Sequence, residues 1–147
     1  MPGILKHVVI TGAGLAWTGI AFGIAGLFGL SLTDAREVAV PFAVAGVVTS
    51  YAVTWLFRAH LFAADVKRKR WLPFATIACG ATIWSTGFFV LAAVSSLIQG
   101  QHDLFDGFGA FLIVGIASSL TIALPVTYPA AYLTQIVIAR YAAPKTA

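Results

Sequence analysis

HVVITGAGLAWTGIAFGIAGLFGLSLT, residues 7–33, holds 27 residues without one Asp, Glu, Lys or Arg. As a helix at about 1.5 Å per residue it would be about 40 Å long, enough to cross the ~30 Å hydrocarbon core of a bilayer once. Lys6 and Asp34 bound it. The run is longer than the ~7–15 apolar residues of a secretory signal, and no small-x-small cleavage pattern follows it at a suitable distance. It reads as a retained first span.

Three further windows follow. Glu37 and Arg58 enclose 20 uncharged residues, Arg70 and Asp103 enclose 32, and Asp106 and Arg140 enclose 33. Each is long enough to cross once and none to cross twice. Over all 147 residues, 60% are hydrophobic and 10% charged, where a water-facing domain needs about 25% charged. Lipid offers no partner to backbone N–H and C=O groups, so each segment must satisfy its own as a helix. A small barrel would instead show alternating segments of about ten residues. The expected fold is an all-α integral membrane protein. It is one domain, residues 1–147, a four-transmembrane antiparallel helix bundle with spans near 8–32, 38–60, 72–98 and 108–140. Ser31 to Asp34 makes the first turn, with Thr33 or Asp34 able to cap the second helix. Asp65 to Arg70 and Gln99 to Asp103 make the other two links, short enough for antiparallel neighbours.

Orientation follows from the basic residues. With the N-terminus inside, Lys6, Arg58, Lys67, Arg68, Lys69, Arg70, Arg140 and Lys145 are all cytoplasmic, eight of the nine Lys and Arg. Only Arg36 falls outside. The positive-inside rule therefore puts both termini in the cytoplasm of a multi-pass cell-membrane protein, read as bacterial inner membrane. The run Lys67-Arg68-Lys69-Arg70 is a cytoplasmic basic patch suited to anionic lipid headgroups. Basic residues at span ends, with no Arg/Lys stripe interleaved with aromatics, speak against nucleic acid as a partner.

Gly12, Ala16, Gly19, Gly23 and Gly26 recur at spacings of four, three, four and three. Small residues let helix backbones approach, so this register reads as a helix-packing seam, against the second span or against another subunit. Trp55 and Trp71 sit at span ends as belt anchors, with Arg58 and His60 as interfacial polar groups. By helical rise, Trp17, Tyr51, Trp84 and Tyr128 fall near mid-membrane among many hydroxyls. Polar glue between helices and a midplane pocket lined by these four are both open readings. Pro125 and Pro129 interrupt a fourth window that would make about 50 Å of helix, which predicts a kink or unwound stretch between Leu124 and Ala130, or strong tilt. Val38-Ala39-Val40-Pro41 resembles Ile122-Ala123-Leu124-Pro125, so a duplicated hairpin and chance similarity both stand.

The chemistry is sparse. No Asp, Glu, Lys, Arg or His lies in the middle of any span, where a proton or ion path would place one. A retinal Schiff base lacks its intramembrane Lys. His7 and His60 are interfacial and His102 lies outside, so no core His pair is available for haem or chlorophyll, although one pigment near His60 stays open. Cys79 is the only cysteine and reads as a small packed residue. No metal site and no cofactor is indicated. Leu56-Phe57-Arg58-Ala59-His60 resembles a segment of small four-span membrane enzymes of eicosanoid and glutathione metabolism. Here it ends a span instead of opening one, without the accompanying Glu and Asn, so the activity does not carry over. Three function classes remain: an accessory or scaffold subunit of a larger membrane complex, the leading expectation, with a membrane-protein partner or homo-oligomer; a small oligomeric transporter or channel for an uncharged or aromatic substrate; and an enzyme acting at the cytoplasmic interface through Arg58 and His60.

Overall fold

The computed structural model describes residues 2–27, 32–98, 100, 113 and 116–144. The junction 28–31, the side chains of Thr33 and Asp34, the turn through 101–106 and the start of the fourth span at 108–112 lie outside the described residues. The described chain is all helical, without a strand: α1 is Pro2–Leu27, α2 Leu32–Leu56, α3 a single turn Arg58–Leu61, α4 Leu72–Ile98 and α5 Leu124–Tyr141. A 3-10 turn, Val66–Arg68, lies between α3 and α4, and residues 116–120 are also helical. Among the described residues three stretches are long and apolar enough to cross a membrane: Gly3–Leu27, Ala39–Leu56 and Leu72–Leu91. At the far end of α4, Gly100 takes a left-handed φ of +74° and donates its N–H to the Leu97 carbonyl. Only a glycine adopts that conformation freely, so the helix stops there.

The helices form a ring. α1 packs on α2, α2 on α4, α4 on α5, and α5 returns to α1. α1 and α2 are antiparallel, as Ser50 Oγ donating to the Ile10 carbonyl at 2.8 Å and Thr18 Oγ1 donating to the Phe42 carbonyl at 3.4 Å show. One end of the ring gathers the start of α1, the end of α2, α3, the 66–70 loop and the end of α5. It is called the basic end below. There Ile10, Leu61, Val66, Leu72, Ile138 and Ala142 form the buried apolar cluster that closes the bundle.

Of the two partners expected for the small-residue register, the second span is not the one it meets within the chain. Gly12, Ala16, Gly19, Gly23 and Gly26 are all exposed, and a Cβ added at any of the four glycines meets nothing within 4 Å. They do not pack on α2. The contact face is Ile10, Gly14 and Thr18, one residue every four. At Gly14 a Cβ would lie 2.7 Å from Val47 Cα and 2.8 Å from the Gly46 carbonyl oxygen, and at Gly46 it would collide with Thr18 Oγ1. The backbones approach through these two glycines. The register is decided by what α2 offers opposite, which a pattern within α1 does not contain.

Three boundaries also differ from expectation. α2 opens at Leu32, ahead of the expected 38, so Thr33 and Asp34 fall within the helix and do not precede it as caps. The second span ends at Leu56, not His60. Phe57 still bonds back to the Val53 carbonyl at 2.9 Å, but α3 then starts afresh. The break in the fourth segment falls at Thr121–Ala123, ahead of the expected Leu124–Ala130. A proline ring crowds the carbonyl four residues before it, so Pro125 acts on Thr121. Ala123 N–H reaches past the break to the Ser118 carbonyl at 3.0 Å, and Thr127 Oγ1 takes the Ser119 carbonyl at 2.8 Å. Pro129 lies within an unbroken α5. Pro41 sits inside α2 whereas Pro125 opens α5, so the two similar tetrapeptides occupy different places in their helices.

Candidate functional site: a central cavity

A cavity of about 590 Å³ runs down the middle of the ring and touches all four of its walls. Its origin is in the sequence. The inward positions of the middle turns are small: Ala21 on α1, Gly46 on α2, Gly80 and Ala81 on α4, Ala131 on α5. Four helices held at ordinary spacing with such residues facing the axis leave the centre unfilled. A volume of this size is that of a small-molecule site. The wall is mainly apolar, and among the described residues that line it there is no Asp, Glu, Lys, Arg or His.

Two of the four aromatic residues expected at a midplane pocket line this cavity, Trp17 and Trp84. Trp17 is satisfied: its Nε1–H donates to Thr134 Oγ1 at 3.2 Å, and Thr134 Oγ1 donates in turn to the Ala130 carbonyl at 2.7 Å. Trp84 is held by rings, edge-on to Phe42 at 4.7 Å and stacked on Phe88 at 5.7 Å, but its buried Nε1–H has no partner among the described residues. The other two are elsewhere. Tyr51 hydroxyl meets His7 Nδ1 at 3.0 Å and Thr11 Oγ1 at 3.3 Å, beside the start of α1. Tyr128 hydroxyl donates to the Arg70 carbonyl at 3.1 Å, and its ring packs on Phe74 at 4.8 Å. Counting rise back from Arg140 misplaced Tyr128, because α5 lies against the start of α4 and brings residue 128 level with the basic loop.

Ser85, one of the hydroxyls expected around the midplane aromatic residues, and Gln135, which the sequence reading did not single out, both line the cavity and are 1% and 2% exposed. Among the described residues Ser85 Oγ has no hydrogen-bond partner. Gln135 Nε2 donates to the Val66 carbonyl at 2.7 Å, whereas its buried Oε1 has no donor among the described residues. The available signal for Gln135 was an amide side chain inside a 33-residue uncharged window, where such a group needs a reason to be.

At the basic end the 66–70 loop is tied down by one face of α5. Gln135, Tyr132 and Tyr128 donate to the carbonyls of Val66, Lys67 and Arg70 respectively. Its side chains point outward: Lys67, Arg68 and Arg70 are exposed, and Lys69 pairs with Asp65 at 3.1 Å. The hydrogen bond from Lys69 holds the Asp65 carboxyl below its ordinary range. Arg58 lies over the Trp55 ring at 5.7 Å and His60 is edge-on to Trp71 at 5.2 Å. Trp55, 64% exposed, and Trp71 face outward as an interfacial belt requires. No three His, Cys, Asp or Glu side chains come together among the described residues. No family model, no curated protein and no solved structure matches this chain.

Proposed function

We propose that this is a four-span, multi-pass cell-membrane protein with both termini cytoplasmic, and that it binds an uncharged, largely apolar molecule between its helices, as a small carrier does. The orientation rests on the basic end: Lys6, Arg58, the 67–70 run and Arg140 belong to one side of the bundle. The single observation that carries the function is the cavity of about 590 Å³ between the four helices of the ring. A charged ligand is disfavoured, because the wall offers no counter-charge.

The test is native mass spectrometry of the full chain released gently from its own membrane. The expected result is one equivalent of a neutral, solvent-extractable molecule on the wild type and none on Ala81→Phe, which fills the cavity. A second reading, an accessory subunit of a larger membrane complex, draws on the outward-facing Gly12 to Gly26 register, which offers another transmembrane helix a close approach. A stoichiometric protein partner with no small molecule on either variant would favour that reading. The exposed Lys67, Arg68 and Arg70 then serve either reading as contacts to anionic lipid headgroups.

A further inference from the structure

A second hollow, of about 370 Å³, lies at the basic end between the α3 turn, the start of the 66–70 loop and the last turns of α5. Leu61 and Phe62, Val66, and Ile136 and Ala139 give it an apolar lining. It stays unfilled because Ala63, Ala64 and Ala139 meet there, each too small to occupy it. Its frame is held from both sides. Val66 N–H donates to the Ala63 carbonyl at 3.1 Å, and Gln135 and Tyr132 of α5 donate to the carbonyls of Val66 and Lys67.

Two residues of the hollow are charged, Lys67 and Arg140, and both are cations. Both are exposed, and neither has an ion-pair partner among the described residues. Asp65, the acid just before the loop, is taken by Lys69 at 3.1 Å. The hollow therefore suits an anion, and its lining suits one that brings apolar matter with it. An apolar track leads away from it. Val137 and Leu133 lie three and seven residues before Arg140 on the same stripe of α5, 43% and 62% exposed. That stripe runs from the basic end toward mid-span, where Thr134 meets Trp17 of α1. Trp55 and Trp71, outward-facing at the basic end, mark the headgroup level.

We infer that the hollow is a discrete site for one anionic glycerophospholipid, with its phosphate between Lys67 and Arg140, its glycerol against the apolar lining and an acyl chain along Val137 and Leu133. Arginine meets phosphate oxygens with a planar fork and lysine with a point charge. Phosphatidylcholine offers the same phosphate but sets a quaternary ammonium beside two cations. A free phosphate leaves the α5 track unused. The site is distinct from the general attraction of a basic surface, because Arg68 and Arg70 are also exposed and do not line it. It is independent of what fills the central cavity.

The experiment is native mass spectrometry of the full chain in detergent, titrated with dioleoyl phosphatidylglycerol, dioleoyl phosphatidylcholine or glycerol 3-phosphate. The wild type should retain one phosphatidylglycerol at concentrations where neither of the others binds. Lys67→Gln and Arg140→Gln should each weaken that binding about fivefold, the contribution of one basic residue near a membrane surface. Arg68→Gln and Arg70→Gln remove the same charge outside the hollow and should change it by less than about twofold. Ala64→Phe fills the hollow from an exposed position, keeps every charge and should abolish retention. Thermal unfolding should be unchanged in the four charge variants, whose side chains are exposed, and these carry the test if Ala64→Phe fails to fold. Equal weakening by all four would show diffuse attraction and overturn the site, as would undiminished binding to Lys67→Gln and Arg140→Gln. Glycerol 3-phosphate binding as tightly as phosphatidylglycerol would assign the hollow to a free phosphate and overturn the lipid. Each of these outcomes leaves the carrier reading of the central cavity untouched.

Discussion

At the scale of single residues, close packing is decided by two glycines and one threonine. Gly14 and Gly46 face each other with no room for a methyl group, and Thr18 Oγ1 fills the remaining gap while donating to the Gly14 carbonyl at 2.9 Å. Gly46→Ala must displace either Thr18 or the α1 backbone. Overpacking of this kind costs about 1–3 kcal/mol. Gly19→Ala adds a methyl group to an exposed position with nothing within 4 Å and removes a helix-interior glycine. Thermal unfolding in detergent should therefore show Gly46→Ala clearly less stable than wild type, with Gly19→Ala unchanged or slightly more stable. A larger loss for Gly19→Ala would mean that the outward register is buried against something in the purified species, as a second copy would bury it. Crosslinking at that face would identify the contact.

Among the elements, the 66–70 loop shows how the bundle is tied together where it is not apolar. Three donors spaced along α5 at 128, 132 and 135 hold three loop carbonyls. Tyr132→Phe removes one donor and leaves the Lys67 carbonyl to water, because Tyr132 is partly exposed. Gln135→Leu leaves the buried side of Val66 without a partner, and each such loss costs about 1–3 kcal/mol. Trypsin applied to inside-out vesicles should cut the Lys67 to Arg70 run only slowly in wild type, modestly faster in Tyr132→Phe and much faster in Gln135→Leu. Equal rates in all three would show that the loop is not held by α5. What the sequence revealed of such features follows a physical division. Charge-free windows fix helices because lipid leaves the backbone no alternative; α4 falls where its window predicts, and α1 and α2 overlap theirs but begin about six residues earlier. The proline break was legible too, but its place was not: Pro125 acts on the carbonyl of Thr121, so the helix fails before the proline. Tyr128 was misplaced, and the partner of the Gly12 register was left open between the second span and another subunit, for one reason. Both are questions of how one helix sits against another, and a single helix's spacing or rise does not carry that relation. Trp17 and Trp84 were found at the cavity because they lie at mid-span on any helix tilt.

For the whole molecule, the ring and the charge distribution together argue for one topology. The buried apolar cluster and the loop contacts sit at the basic end, so Lys6, Arg58, Lys67 to Arg70 and Arg140 cannot be distributed over two faces of the bundle without breaking α1, α3 or α5 away from it. On the proposed topology, the cytoplasmic bias of Lys and Arg orients the whole bundle at once. The described residues include three stretches that can cross by length and composition, and the segment ending in α5 must supply the fourth crossing if both termini are to share a side. Cysteine accessibility separates the possibilities. In a Cys79→Ala background, Arg68→Cys should be protected from an impermeant maleimide in intact cells and labelled after permeabilisation, whereas Asp106→Cys should be labelled in both. A tag after Ala147 should share the behaviour of position 68. Labelling of 68 in intact cells with 106 protected would invert the bundle and place the basic loop outside. Protection of 68 and labelling of 106, but with an external C-terminal tag, would mean that the final segment does not cross, and the cavity would then be walled on one side by a helix returning to the outer surface. Only the first pattern keeps four crossings with the basic end and its 66–70 loop on the cytoplasmic side, as the proposed topology requires.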